Sequence, residues 1–176
     1  MFGFFRKRRS GEAGKEQLDW FFLHTDIHSH FIPGIEDGPS AMADSLELLQ
    51  QMSNNGFSKL ITTPHISADY FPNTREKILT GLELLKTAAL SRNIPLDIEA
   101  AAEYMIDEQF MQLLQRRKPL LYFGDHYILI EMGCVQPAPI LQQVIFELQA
   151  LGYKPVLAHP ERYHYYHRMP VEERGL

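Results

Sequence analysis

The 176-residue sequence has a single cysteine, Cys134, so no intramolecular disulfide is available and nothing points to an oxidising compartment. Thiolate chemistry of the Cys-x5-Arg kind is excluded too, because the position six residues after Cys134 is Ile140. No stretch approaches the roughly 18 uninterrupted apolar residues of a membrane span. The basic residues near the N-terminus are not followed by an apolar h-region, so the expectation is a cytoplasmic protein without a secretory signal. Neither a Walker-type loop nor a GxGxxG run occurs among the 11 glycines, which leaves nucleotide binding without support. Excess basic charge is also missing. Lys and Arg number 17 against 22 Asp and Glu, a net charge of −5; Arg6, Lys7, Arg8 and Arg9 supply +4, so the remaining chain carries −9. That acidic body lacks the basic face a nucleic-acid binder needs.

What is present is one domain's worth of chain, 45% hydrophobic, with eight histidines that hint at metal. Residues 1–19 lack apolar periodicity and read as a basic, disordered tail, leaving 20–176 as the domain. The Arg6–Arg9 run follows Phe2, Phe4 and Phe5 and could touch an anionic membrane surface, at roughly 1 kcal/mol per cation. A solvated tail is the plainer reading. Beyond it, strands and helices alternate. The expected strands are Phe21–Ile27, Lys59–Thr63, Ile98–Glu103, Tyr127–Met132 and Pro155–Ala158. Helices are expected over Ser40–Asn55, from a capping box at Asn73–Glu76 to Arg92, over Glu108–Gln115, and along Leu141–Leu151 up to Gly152. Such alternation predicts an α/β fold of parallel strands, either doubly wound or a β/α barrel, with chemistry at the carboxyl ends of the strands.

Those ends carry ligand-type side chains. The first runs into Asp26-Ile-His28-Ser-His30, with Glu36-Asp37-Gly38 in the loop behind it. The others end in Thr62-Thr-Pro-His65, Ala102-Glu103-Tyr104, Ile130-Glu131-Met132 and Ala158-His159-Pro-Glu-Arg162-Tyr163. Two histidines at i and i+2 on extended chain face the same way, so one cation can take both. An isolated HxH is more often incidental than a site. Five consecutive strand ends bearing His or carboxylate are another matter, and the mixed nitrogen and oxygen donors suit Mn, Zn or Fe. Asp26 reads as a positioning group, Tyr104 as a pocket wall or a packing residue, and His24 as packed or surface-facing; His164 and His167 are candidates for substrate contact, with loop surface the plainer reading, and His126, in a turn before the fourth strand, is assigned no role.

Taken in order, these strings resemble the PHP (polymerase and histidinol phosphatase) superfamily, and most closely its bacterial manganese-dependent protein-tyrosine phosphatases of capsule and exopolysaccharide synthesis. The similarity covers about residues 22–165. It implies a distorted β/α barrel with up to three divalent metals, Mn2+ foremost, held by His28, His30, Asp37, His65, Glu103, Glu131 and His159. Arg162 would hold the phosphate as a catalytic residue, with Tyr163 beside it at the substrate. The implied partner is a phosphotyrosine protein, in particular a bacterial tyrosine kinase. The family's final Asp-x-His has no counterpart, since Arg168–Leu176 contain neither Asp nor His. The expectation is therefore a truncated, five-strand version of the barrel. The alternatives are a non-catalytic remnant that binds phosphotyrosine or the kinase, and a small-molecule phosphomonoesterase of the histidinol-phosphatase type.

Overall fold

A computed structural model describes residues 23–168; the basic tail with Arg6–Arg9, together with Phe21 and Phe22 of the expected first strand, lies outside the described residues. The elements are β1 (Thr25–Ser29), α1 (Met42–Asn54), β2 (Lys59–Thr62), β3 (His65–Ile66), α2 (Arg75–Ser91), β4 (Asp97–Ala100), β5 (Glu103–Met105), α3 (Glu108–Gln115), β6 (Tyr127–Glu131), α4 (Leu141–Ala150) and β7 (Lys154–Leu157). Strand pairing is parallel throughout, in two sheets ordered β1-β2-β4 and β3-β5-β6-β7. The α/β alternation is as the sequence implies.

The strand count is not. Among the described residues seven strands replace the expected five, because the second and third each bend and cross from one sheet to the other. Pro64 has no N–H to donate to a ladder, so it marks the bend between β2 and β3. Beside it the Thr63 N–H turns to the Ser29 carbonyl at 2.6 Å. The partner strand bends at Ala101-Ala102, and the bonds Ala101 N–H to Thr62 O (2.9 Å) and Glu103 N–H to Pro64 O (3.1 Å) carry the pairing across the bend. The first strand also runs later than expected, through His28 to Ser29.

The helices cover the sheets by conventional apolar stripes. Ile78, Leu82, Leu85 and Ala89 of α2 are buried at helical spacing, as are Leu141, Val144 and Leu148 of α4. They join Leu60, Ile98, Tyr104, Ile128 and Ile130 in one main core. Helix α3 begins at Asp107, whose carboxylate accepts from Phe110 N–H at 2.8 Å. At the start of α2 the cap is Thr74, which accepts from Lys77 N–H at 3.2 Å. The expected capping box thus starts one residue early, and the Asn73 amide donates instead to the His65 carbonyl at 2.9 Å.

Candidate metal centre

The bend that splits the strands positions the chemistry. β3 and β5 pair with His65 directly opposite Glu103, and β5 pairs with β6 so that Met105 faces Glu131. Glu103 has 0% of its side chain exposed and is surrounded by imidazoles. His28 Nε2 lies 2.9 Å and His159 Nε2 2.7 Å from its two oxygens, while His30 and His65 Nε2 each stand at 3.5 Å. His65 Nε2 and His159 Nε2 also face Glu131 at 3.7 and 3.8 Å. His28 and His30 lie side by side with ring centroids 5.5 Å apart, as the HxH spacing requires.

His159 reaches this cluster through a backbone that few side chains adopt. Its φ is 31°, in the left-handed region, two residues past the end of β7 and just before a 3-10 turn at Pro160–Arg162. The same turn brings Arg162 to a cleft of about 280 Å3 that it shares with His28, His30, Asp37, His65, Glu103 and His159.

Glu36 is the residue that sequence reasoning passed over. One of its oxygens accepts from both His65 Nδ1 (2.6 Å) and His65 N–H (2.9 Å), which orients the ring so that Nε2 faces Glu103 and Glu131. Its other oxygen lies 3.1 Å from His30 Nδ1. Gly38 permits this approach: a Cβ there would stand 2.5 Å from the His30 carbonyl oxygen, so only glycine lets the loop fold back against His30. Asp37 is exposed at the mouth of the cleft and stands apart from the ligand groups formed by His28, His30, Glu36, His65, Glu103 and Glu131, which His159 joins through its 2.7 Å contact with Glu103. The hint available in the sequence was a second carboxylate adjacent to Asp37, one methylene longer.

One further expectation changes. Tyr163 is 0% exposed, and its hydroxyl accepts from Met132 N–H at 3.2 Å. It is a strut between the 3-10 turn and the end of β6 and does not reach the cleft as a substrate contact. Tyr104 likewise packs inside, its hydroxyl accepting from Leu121 N–H at 2.7 Å. Asp26 stands outside the cluster, with burial pushing its carboxyl up.

The electrostatics are those of buried carboxylates set among imidazoles. Burial pushes Glu131 up to about 7, helped by the neighbouring charge of Glu103. Burial also opposes ionisation of Glu36 and Glu103, but contact with His30 and His65 holds Glu36 at about 2, and His28 holds Glu103 below the ordinary range. The hydrogen bond to Glu103 raises His28, whereas burial lowers His159. Within the cluster His159 Nδ1 is buried without a hydrogen-bond partner. Three overlapping ligand groups lie here: His28, His30 and Glu103; His30, Glu36 and His65; His65, Glu103 and Glu131. Buried carboxylates interleaved with imidazoles fit divalent metal.

With this geometry in place, the family model for capsular polysaccharide synthesis, CpsB/CapC, matches residues 24–172. The chain belongs to the CpsB/CapC family. It is 32% identical over 137 residues to the tyrosine-protein phosphatase YwqE of Bacillus subtilis, covering 78% of this chain and 54% of that one. Against the tyrosine-protein phosphatase CpsB of Streptococcus pneumoniae it is 27% identical over 138 residues, 78% of this chain and 57% of the relative. A solved structure from the pair YwqE of Bacillus subtilis and CpsB of Streptococcus pneumoniae, described as metal-dependent tyrosine phosphatases, matches with TM-score 0.73 and 32% identity over 81% of this chain and 58% of the other. The chain spans about half the length of the curated relatives it matches.

Proposed function

We propose that this CpsB/CapC chain carries the metal centre of a protein-tyrosine phosphatase acting in capsule or exopolysaccharide synthesis. The observation that carries the reading is the fully buried Glu103 ringed by four imidazoles, with an arginine in the same cleft. His28, His30, His65, Glu103, Glu131 and His159 would hold divalent metal, Mn2+ first and Zn or Fe as alternatives, with Asp37 at the mouth. The metal would supply Lewis-acid charge neutralisation and water activation near neutral pH.

The chain's own residues do the rest. Glu36 and the left-handed His159 fix the imidazoles before substrate arrives. Arg162 offers a planar fork to the phosphoryl oxygens, a match that lysine would not give. A tyrosyl leaving group has a parent pKa of about 10 and needs little protonation as it departs. No covalent intermediate is called for, and the one cysteine, Cys134, is exposed and absent from the cleft lining.

The finer readings that rest on the resemblance and the relatives are up to three metals, a β/α barrel of which these sheets form part, residues 20–176 as the phosphatase domain and a tyrosine-kinase substrate; a cytoplasmic location rests on the single cysteine and the basic N-terminal residues without an apolar h-region. Among the described residues no helix is long and apolar enough to cross a membrane.

The test is phosphate release with added manganese from a phosphotyrosyl peptide and from histidinol phosphate. Preference for the peptide, lost in Arg162→Ala, is the expected result. Preference for histidinol phosphate would move the chain to small-molecule hydrolysis. Tight peptide binding without release would make it a binding module.

A further inference from the structure

Behind the wall that carries His65 and Glu103, the next residues on the same strands, Ile66 and Tyr104, help line a second cleft of about 280 Å3. It lies against the start of the 17-residue helix α2, with Leu113 and Leu120 completing its apolar side. Asn73 lines it and is only 1% exposed. Its Nδ2 is committed to the His65 carbonyl, which fixes the amide orientation and leaves Oδ1 as a buried acceptor without a partner. Arg75, at the first turn of α2, also lines the cleft, and its buried Nε–H is likewise unpartnered. Lys118 adds a second cation, and the carboxylate in the lining, Glu76, is exposed. The positive end of α2 adds to both cations.

A buried polar atom normally has a partner. Here a lone acceptor, one buried donor and two cations line one cleft with an apolar wall. We propose that it binds an N-acylated amino-acid carboxylate with an apolar side chain. The carboxylate would meet Arg75 and Lys118, the amide N–H would donate to Asn73 Oδ1, and the side chain would lie on Ile66, Leu113 and Leu120. This chemistry occurs at the carboxyl terminus of a protein and in a free N-acyl amino acid. It is independent of the phosphatase reading.

The test titrates the isotope-labelled full chain with N-acetyl-L-leucine, N-acetyl-L-leucinamide and the peptide acetyl-Gly-Gly-Leu, following the Asn73 side-chain amide and Arg75 Nε–H signals by NMR. The acid is expected to shift both signals and the amide to bind at least about tenfold more weakly, the scale of a lost charge-assisted hydrogen bond. Arg75→Gln and Lys118→Gln should each weaken the acid by a similar factor. Lys118→Gln leaves the α2 start intact, so it keeps the test decisive if Arg75→Gln unfolds. Tighter binding of the peptide than of N-acetyl-L-leucine identifies a protein terminus as the occupant, and equal binding a small molecule. No shift up to about 10 mM, equal binding of acid and amide, or indifference to both substitutions would overturn the proposal.

Discussion

Histidine–carboxylate pairs stand at both ends of β6, and only one end is built for chemistry. At the amino end Asp125 and His126 lie 3.4 Å apart, both exposed, with Lys154 bonded to the same aspartate and stacked 5.3 Å over the Tyr127 ring. Water solvates those charges, so the pairs contribute little. At the carboxyl end, His159 and Glu103 lie 2.7 Å apart with glutamate buried, and Glu131 sits among the same histidines. There each charge depends on its neighbours. The residue types match; burial separates a surface pair from a ligand cluster.

The comparison can be broken most severely at the centre of the buried cluster. Glu103→Gln keeps the shape but removes the charge shared by four imidazoles. Manganese-dependent hydrolysis of a phosphotyrosyl peptide should fall more than about hundredfold. Gly38→Ala places a Cβ against the His30 carbonyl oxygen, a backbone atom that cannot swing aside. It should cost about 2–4 kcal/mol in denaturant unfolding and displace Glu36. Glu36→Gln should weaken metal binding about 10–100-fold by calorimetry, through loss of the carboxylate that orients His65.

Metal-free protein should also show the buried cluster in its pH dependence. Glu131 titrates near 7 in the fold against an ordinary value of 4.5, so the folded state holds its proton more tightly. The stability this gives is complete below 4.5 and is lost as pH rises through about 7. His28, raised above 6.5, acts in the same direction: its contribution is present below 6.5 and fades as pH climbs past its folded value. Glu36 acts oppositely, its contribution disappearing as pH falls toward about 2. Thermal melts without metal should therefore weaken between pH 5 and 8, by on the order of 2 kcal/mol. Glu131→Gln should flatten that slope. The smallest effect belongs to the exposed end, where Asp125→Asn should change stability by no more than about 0.5 kcal/mol.

The strand ends were legible in the sequence because parallel α/β sheets collect chemistry there: His28, His30, His65, Glu103 and Glu131 gather into overlapping ligand groups, and His159 stands 2.7 Å from Glu103. The register that sets His65 opposite Glu103 was not, since it depends on a chain bend at Pro64 that regular strand patterning conceals. Glu36 was passed over because its reach of one extra methylene matters only once the Gly38 loop is folded against His30. Tyr163 misled for the opposite reason: its place in a motif with His159 and Arg162 said nothing of its burial. Asn73 carried a cap-like spacing yet spends its amide on the His65 carbonyl.

The central claim is that these strand ends form a metal centre, and the most direct measurement is the divalent metal retained per chain after gel filtration, for the natural sequence and for His28→Ala and Glu103→Gln. The expected result is stoichiometric manganese, zinc or iron on the natural chain and its loss in Glu103→Gln, with reduced retention in His28→Ala. A natural chain that elutes free of metal after loading, or variants that retain as much as it does, would contradict the account.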